Sequence, residues 1–186
     1  MFERLIELGD IGRRYFVLNS FDGVLTVLGI VMGTFISNVT NPLVPLATGL
    51  SALIALGISG FSSAYLAEKA ERRRDLKELE GRMLKNLDGT VHERKLRKLS
   101  LKISTVNGFA PFLTGLICVM PFVFVFYDAM SIDLAYFVSM GTSLVVLSSL
   151  GYFLGSVSKE RKIVSALKML AVGILTALVL YMVGGV

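Results

Sequence analysis

Asp22 is the residue of this chain whose chemistry is most informative, because it is the only acidic residue in the long apolar segment Tyr15–Ile36. A carboxylate at membrane depth costs about 2.5–3.5 kcal/mol or more, so such residues are rare and usually lie on a path for ions or substrates. Asn19, Asp22 and Thr26 are spaced i, i+3 and i+7, which places them on one side of a helix. Carboxylate, amide and hydroxyl oxygens suit a divalent cation, so this spacing predicts a transport pathway that binds metal.

A structural role is the alternative interpretation of Asp22. A carboxylate inside a helical bundle can accept hydrogen bonds, or cap a partner helix, without contacting any substrate. Helical rise places Asp22 about 10 Å into the membrane from Tyr15. The default for an ionisable residue at this depth is a functional site, and we therefore favour the pathway.

Five apolar segments are long enough to cross a bilayer. The chain has 186 residues, of which 54% are hydrophobic. Each segment has about 20 residues, which at 1.5 Å per residue matches a hydrocarbon core of about 30 Å. The sequence therefore predicts an all-α, polytopic membrane protein with spans at Tyr15–Ile36, Pro45–Leu66, Gly108–Tyr127, Leu134–Leu154 and Ile163–Met182.

The soluble part of the chain is small and lies between the second and third spans. We expect residues 1–66 to hold a mildly amphipathic start and the first two spans, residues 67–106 a short cytoplasmic helical hairpin, and residues 107–186 the last three spans. No helix breaker precedes Gly81, so the second span should continue into the hairpin as one helix. Pro111 and Pro121 should kink the third span.

The basic residues predict the orientation. All 19 Lys and Arg lie near the N-terminus, between the second and third spans, or within Lys159–Lys168, and the connections 37–44 and 128–133 contain none. The positive-inside rule then predicts a multi-pass protein of the cell membrane with its N-terminus and hairpin in the cytoplasm and its C-terminus outside.

Two other classes of function are disfavoured. The segment between Ala67 and Thr105 is basic but has no aromatic residue, which argues against nucleic-acid binding. One histidine, one cysteine and no intramembrane pair of acidic residues leave no catalytic triad or dyad, so we expect neither an enzyme nor a bound cofactor.

Small residues recur at four-residue spacing in two of the spans. The first span holds Gly29-x-x-x-Gly33 and the fifth holds Gly173-x-x-x-Ala177. This spacing lets helix backbones approach closely in lipid. It is compatible with packing inside one bundle and with a homodimer, and the sequence leaves both open.

Four stretches of the chain resemble the vacuolar iron transporter family. The run Asn19–Thr26 contains D-G-x-x-T, the core of that family's first-helix signature. The end of the second span, a glycine-to-proline stretch of the third and most of the fifth are also similar: Ile58–Leu66, Gly115–Pro121 and Lys168–Gly184. The resemblance implies a dimeric exporter of cytosolic Fe²⁺ or Mn²⁺ driven by proton exchange, with Asp22 in the pathway.

The resemblance also implies a metal-collecting surface on the cytoplasmic hairpin. Four acidic residues share one face of the predicted helix there: Glu68, Glu71, Asp75 and Glu78. Carboxylate oxygens suit hard divalent cations. The alternative is a solvated charged helix whose acidic residues form ordinary i,i+4 ion pairs, such as Glu68 with Arg72.

The second span departs from the family at two positions. Gly60 follows Ser59 where the family often has methionine, and Ala64 precedes Tyr65 where many members have a carboxylate. Met32 and Met140 could supply thioether ligands instead, although methionine more often fills gaps in a core. The alternative to transport is a membrane scaffold whose basic hairpin binds anionic lipid or a protein partner.

Overall fold

The computed structural model describes residues 2–83, 91–158 and 160–184, with side chains described for residues 12–78, 80–81, 100–158 and 160–184. This part of the chain is entirely helical apart from short turns. Its helices are α1 (Phe2–Ile36), α2 (Leu43–Met83), α3 (Val91–Val119), α4 (Pro121–Val125), α5 (Ile132–Val157) and α6 (Lys162–Gly184).

Five stretches of these helices are long and apolar enough to cross a membrane, which confirms the predicted fold class. They are Gly12–Ile36, Leu43–Glu78, Ser100–Val125, Ile132–Val157 and Lys162–Gly184. The amphipathic start and the first span form one continuous helix. The second span likewise continues through the charged sequence to Met83, as the absence of a helix breaker predicts.

Helix α1 packs against α2, α3, α5 and α6. Its core side is a row of buried valines at positions 17, 24, 27 and 31. Their spacing of seven, three and four residues puts them on one stripe of the helix. Burial of this stripe fixes the rotation of α1, and therefore decides which of its residues remain on the other side.

Glycines set the distance between α2 and α3. A Cβ atom on Gly108 would lie 2.8 Å from the carbonyl oxygen of Gly57, so the two backbones are in direct contact there. Three residues further along α3, the carbonyl oxygen of Pro111 would lie 2.6 Å from a Cβ atom on Gly23 of α1. Helices α1, α2 and α3 therefore form a closely packed group.

The two prolines of the third span act differently. Pro111 lies inside α3, which continues past it to Val119. Pro121 begins α4 after a break at Met120, because a proline is tolerated in the first turn of a helix but cannot continue the preceding hydrogen-bond ladder. The predicted kink at Pro121 is thus a local interruption at which Met120 keeps a helical backbone, and the two helices together form the spanning stretch Ser100–Val125.

Helices α5 and α6 form a tight antiparallel pair. A Cβ atom on Gly151 of α5 would lie 2.6 Å from the carbonyl oxygen of Ser165, and one on Gly155 would lie 2.7 Å from Cα of Lys162. Glycine is needed at both positions because the contacted atoms belong to the backbone of α6.

Candidate functional site

The carboxylate of Asp22 is exposed on the surface of the single chain. Leu18, one turn away, is 52% exposed, and Gly33 is exposed further along the same side of α1. Gly29 lies between them and is half-buried. We call this surface, made of Leu18, Asp22, Gly29 and Gly33, the open face of α1. It places a carboxylate and two glycines together on a membrane-spanning surface that the described residues leave largely uncovered.

The two glycines of the open face have almost no neighbours. Among the residues that the structure describes, a Cβ atom on Gly33 would meet no other atom within 4 Å, and one on Gly29 would meet the Leu180 side chain alone, at 3.8 Å. Neither position needs glycine for packing within the chain. The small residues therefore leave room beside α1 that no described helix of the chain fills.

The polar neighbours of Asp22 are engaged in hydrogen bonds. The Thr26 hydroxyl donates to the backbone carbonyl of Asp22 at 2.7 Å. The Asn19 side-chain amide donates to the carbonyl of Tyr15 at 2.9 Å and to the side-chain oxygen of Asn107 on α3. All three predicted residues thus follow one side of α1, but Asn19 is directed towards the bundle while Asp22 is exposed.

Asn107 is a polar residue of the site region that the sequence reasoning missed. It is buried, and its side-chain amide donates to the carbonyl oxygen of Gly60 at 2.7 Å. Asn19, Gly60 and Asn107 therefore form a polar junction that joins α1, α2 and α3. The available signal was an amide at the edge of an apolar span, which in lipid usually hydrogen-bonds to another helix.

The acidic residues of the hairpin separate into two groups. Glu68 is only 5% exposed, and its carboxylate accepts a hydrogen bond from the Arg72 guanidinium at 2.9 Å. Arg72 also donates to the Ser100 hydroxyl at 3.1 Å, so this ion pair joins α2 to α3. The i,i+4 pair is therefore confirmed, and it occupies the carboxylate of Glu68.

The other three acidic residues, Glu71, Asp75 and Glu78, are exposed. Within the part of the chain that the structure describes, no three acidic, histidine or cysteine side chains lie close enough together to hold a metal ion. Metal collection by the hairpin therefore stays a prediction.

Comparison with known proteins identifies the family to which this chain belongs. The model of the VIT family matches residues 82–185, which is more than half of the chain. A protein of Methanocaldococcus jannaschii, itself described as uncharacterized, is 32% identical over 178 aligned positions, and the alignment covers 94% of this chain and 90% of that protein. The chain belongs to the VIT family.

Family membership confirms the resemblance seen in the sequence. Together with the five spanning helices, it supports membrane metal transport as the class of activity. The transported metal, the direction of transport and its coupling to protons depend on the geometry of this particular VIT family protein.

The position of Gly60 explains one departure of this VIT family protein from the sequence pattern. A Cβ atom there would lie 3.2 Å from the carbonyl oxygen of Asn107 and 3.5 Å from the side-chain oxygen of Asn19. A methionine at this position would have to displace the polar junction. Ala64, the second departure, is also buried. This region of α2 is therefore occupied by interhelical contacts.

The candidate thioether ligands lie in the core. Met32 is buried, and Met140 packs against the buried cluster at the centre of the bundle. Met32 follows Asp22 by ten residues, which is about 15 Å along the helix. This placement supports the gap-filling interpretation of both methionines.

The small residues of the fifth span are used inside the bundle. A Cβ atom on Gly173 would lie 2.5 Å from the Leu147 side chain of α5 and 3.0 Å from that of Leu144. Ala177 is half-buried further along α6. Gly173 therefore serves the α5–α6 contact, in contrast to Gly29 and Gly33.

Proposed function

We propose that this VIT family protein exports Fe²⁺ or Mn²⁺ from the cytosol in exchange for protons, as a homodimer whose two α1 helices meet along the open face. The observation that carries the proposal is the exposed carboxylate of Asp22 on a helix that crosses the membrane.

Exposure of the Asp22 carboxylate to lipid would be unfavourable. A carboxylate facing hydrocarbon near the middle of a span costs about 2.5–3.5 kcal/mol or more. The open face must therefore be covered by protein or by water, and none of the described helices of the single chain covers it. A second copy related by a two-fold axis brings an identical surface, which is the usual geometry of a homodimer.

The glycines of the open face make that contact possible. Gly29 and Gly33 have the four-residue spacing that allows two helix backbones to approach closely in lipid. Among the described residues, no atom lies within 4 Å of a Cβ atom on Gly33, and Gly29 has only the Leu180 side chain at that distance, so this side of α1 has room for a second helix. The same contact would bring the Asp22 carboxylates of the two copies to opposite sides of one passage.

Two facing Asp22 carboxylates would allow a divalent metal ion to be exchanged for protons. A carboxylate binds a metal ion only in its deprotonated form, so metal binding releases protons. Two facing carboxylates can accept either one divalent ion from the cytosol or protons from the other side. Oxygen ligands of this kind suit Mn²⁺ and other hard divalent ions. The same pair would thus carry metal outward and protons inward.

The basic residues support the direction of transport. By the positive-inside rule, the N-terminus and the hairpin face the cytosol. The exposed acidic residues Glu71, Asp75 and Glu78 would then be the first carboxylates that a cytosolic metal ion meets. Glu68 would act differently, by holding the base of the hairpin through Arg72 and Ser100.

The variant Asp22→Asn tests the proposal, because it removes the charge and preserves the shape of the side chain. We expect it to abolish both metal flux and metal-driven proton movement in proteoliposomes, measured in parallel with Fe²⁺, Mn²⁺ and Zn²⁺. Asp133→Asn is the matched control, since Asp133 is an exposed acidic residue in the first turn of α5.

The two variants have distinct outcomes. We expect Asp133→Asn to transport like the unaltered protein. Full flux through Asp22→Asn would place the pathway elsewhere and give Asp22 a structural role. A scaffold that only binds lipid or protein partners would show no flux in any of the three proteins.

A further inference from the structure

Two pairs of tyrosine and lysine lie on the outer surface of the bundle. The Lys162 ammonium lies 5.5 Å from the centre of the Tyr152 ring, and the Lys69 ammonium lies 5.7 Å from the centre of the Tyr65 ring. The first pair joins the end of α5 to the start of α6, whereas the second lies within α2. A cation over an aromatic face is attracted by the ring quadrupole, so each ring holds its ammonium in place.

Both tyrosines lie about one hydrocarbon thickness from the start of their own helix. Tyr65 is about 33 Å from the start of α2, and Tyr152 is about 30 Å from the start of α5, by helical rise. These distances equal one hydrocarbon thickness of about 30 Å. Tyrosines are enriched where hydrocarbon meets headgroups, so the two rings mark one membrane boundary.

The corner between α5 and α6 combines apolar and basic groups at this boundary. Ile163 is 70% exposed and Leu167 is exposed beside it, which gives acyl chains a surface to cover. Arg161 and Lys162 are exposed at the same end of α6. Glu160 lies 3.9 Å from Lys168, so the one acidic residue of the sequence Lys159–Lys168 is directed to a different cation.

The backbone of this corner is held firmly. Because a Cβ atom on Gly155 would lie 2.7 Å from Cα of Lys162, the first turn of α6 rests directly on α5. The Ser165 residue behind it is buried in the same contact. Lys162 therefore projects from a fixed point of the fold, over a ring that belongs to the neighbouring helix.

We propose that the α5–α6 corner binds the headgroup of an anionic phospholipid. Lys162 and Arg161 contact the phosphate, Tyr152 positions the ammonium, and the acyl chains lie along Ile163 and Leu167. A zwitterionic headgroup carries its own cation and satisfies the two basic side chains less well. This site is independent of the open face of α1 and of the proposed metal transport.

Native mass spectrometry of the full chain in detergent, titrated with phosphatidylglycerol and separately with phosphatidylcholine, tests the proposal. Each basic side chain at a membrane surface contributes about fivefold in affinity for anionic lipid. The double variant Arg161→Gln/Lys162→Gln should therefore bind phosphatidylglycerol about 25-fold more weakly. Tyr152→Leu should lose affinity by a smaller factor, because it removes only the ring under Lys162.

The matched control is Arg74→Gln/Lys77→Gln, which removes the same charge from exposed positions of α2. These positions lie about 13–18 Å beyond Tyr65 along the helix, which is further than the Debye length of about 10 Å. We expect the control to bind phosphatidylglycerol like the unaltered protein. An equal loss in the control, or equal binding of phosphatidylcholine and phosphatidylglycerol, would overturn the proposal.

Discussion

The open face of α1 and the contact between α5 and α6 are both lined with small residues, but the molecule uses them differently. Gly151 and Gly155 lie so close to the backbone of α6 that no larger side chain fits, and Gly173 lies against the leucine side chains of α5. Gly29 and Gly33 have the same type of spacing and nearly empty surroundings. Gly151, Gly155 and Gly173 thus allow α5 and α6 to pack together. Gly29 and Gly33 make no comparably close contact among the described residues.

This difference shows that a small-residue motif predicts close packing but not the helix that packs against it. Four-residue spacing indicates that a helix surface can be approached closely, but it does not name the partner. The buried valine stripe of α1 turns Asp22 and Gly33 to the outside and leaves Gly29 half-buried between them. This placement supports the proposal that a second copy covers the surface that carries Asp22.

The largest effect is expected at the filled contact. In Gly151→Ala the new methyl group would meet backbone atoms of α6 at 2.6 and 2.7 Å, and backbone cannot move aside as a side chain can. Overpacking of this kind costs about 1–3 kcal/mol. Unfolding can be followed through the buried thiol of Cys118, the only cysteine, which reacts with a fluorogenic maleimide once the bundle opens.

Gly141→Ala is the control for this prediction. Gly141 lies on the same helix, is exposed, and has nothing within 4 Å of its Cβ position. We expect an unchanged or slightly higher unfolding temperature, because alanine favours helix over glycine. Equal unfolding temperatures for the two variants would mean that the α5–α6 contact is looser than described.

A smaller effect on stability, but a clear effect on assembly, is expected at the open face. Gly33→Leu should leave the unfolding temperature of the bundle unchanged, since the position is empty. It should weaken the homodimer about 10- to 100-fold, which corresponds to a steric cost of about 1–3 kcal/mol at the interface. Light scattering over a range of protein concentrations gives the dimer constant. Dissociation of the dimer by Gly141→Leu but not by Gly33→Leu would contradict the proposal that the open face of α1 forms the interface.

The smallest effect on transport is expected for conservative substitutions of the two core methionines. Met32→Leu and Met140→Leu keep the volume of the side chain, and such exchanges usually cost less than about 1.5 kcal/mol. Because both methionines lie among core residues, metal flux should stay within about twofold of the unaltered protein. A large loss of Fe²⁺ flux in either folded variant would show that the thioethers take part in transport.

Much of the fold could be predicted from the sequence because the signals are local. Runs of about 20 apolar residues predict spans by length alone. The absence of a breaker before Gly81 predicts the long α2, and Pro121 predicts a kink at the position where α3 gives way to α4. Each of these inferences needs only one segment and its own hydrogen bonds.

The site was harder to predict because it depends on neighbours. Helical spacing groups Asn19 with Asp22, but it cannot show that Asn107 of α3 takes up the Asn19 amide. It places Glu68 among solvated carboxylates, whereas contact with α3 buries it beside Arg72. Likewise, the spacing of Gly29 and Gly173 is alike, and only the packed bundle separates their uses.

Disulfide cross-linking in native membranes tests the central claim most directly. Single cysteines would be placed at Leu18, Gly29 and Gly33 on the open face, in a Cys118→Ala background, and at Gly141 and Val145 on the exposed side of α5. A disulfide requires Cα atoms about 4.4–6.8 Å apart, so it reports close approach of two copies.

The account predicts that oxidation gives covalent dimers from the Gly29 and Gly33 positions, and weaker cross-linking from Leu18. It predicts none from Gly141 or Val145. Dimers that form only through the α5 positions, or no cross-link along the open face of α1, would contradict the claim that two copies meet around Asp22.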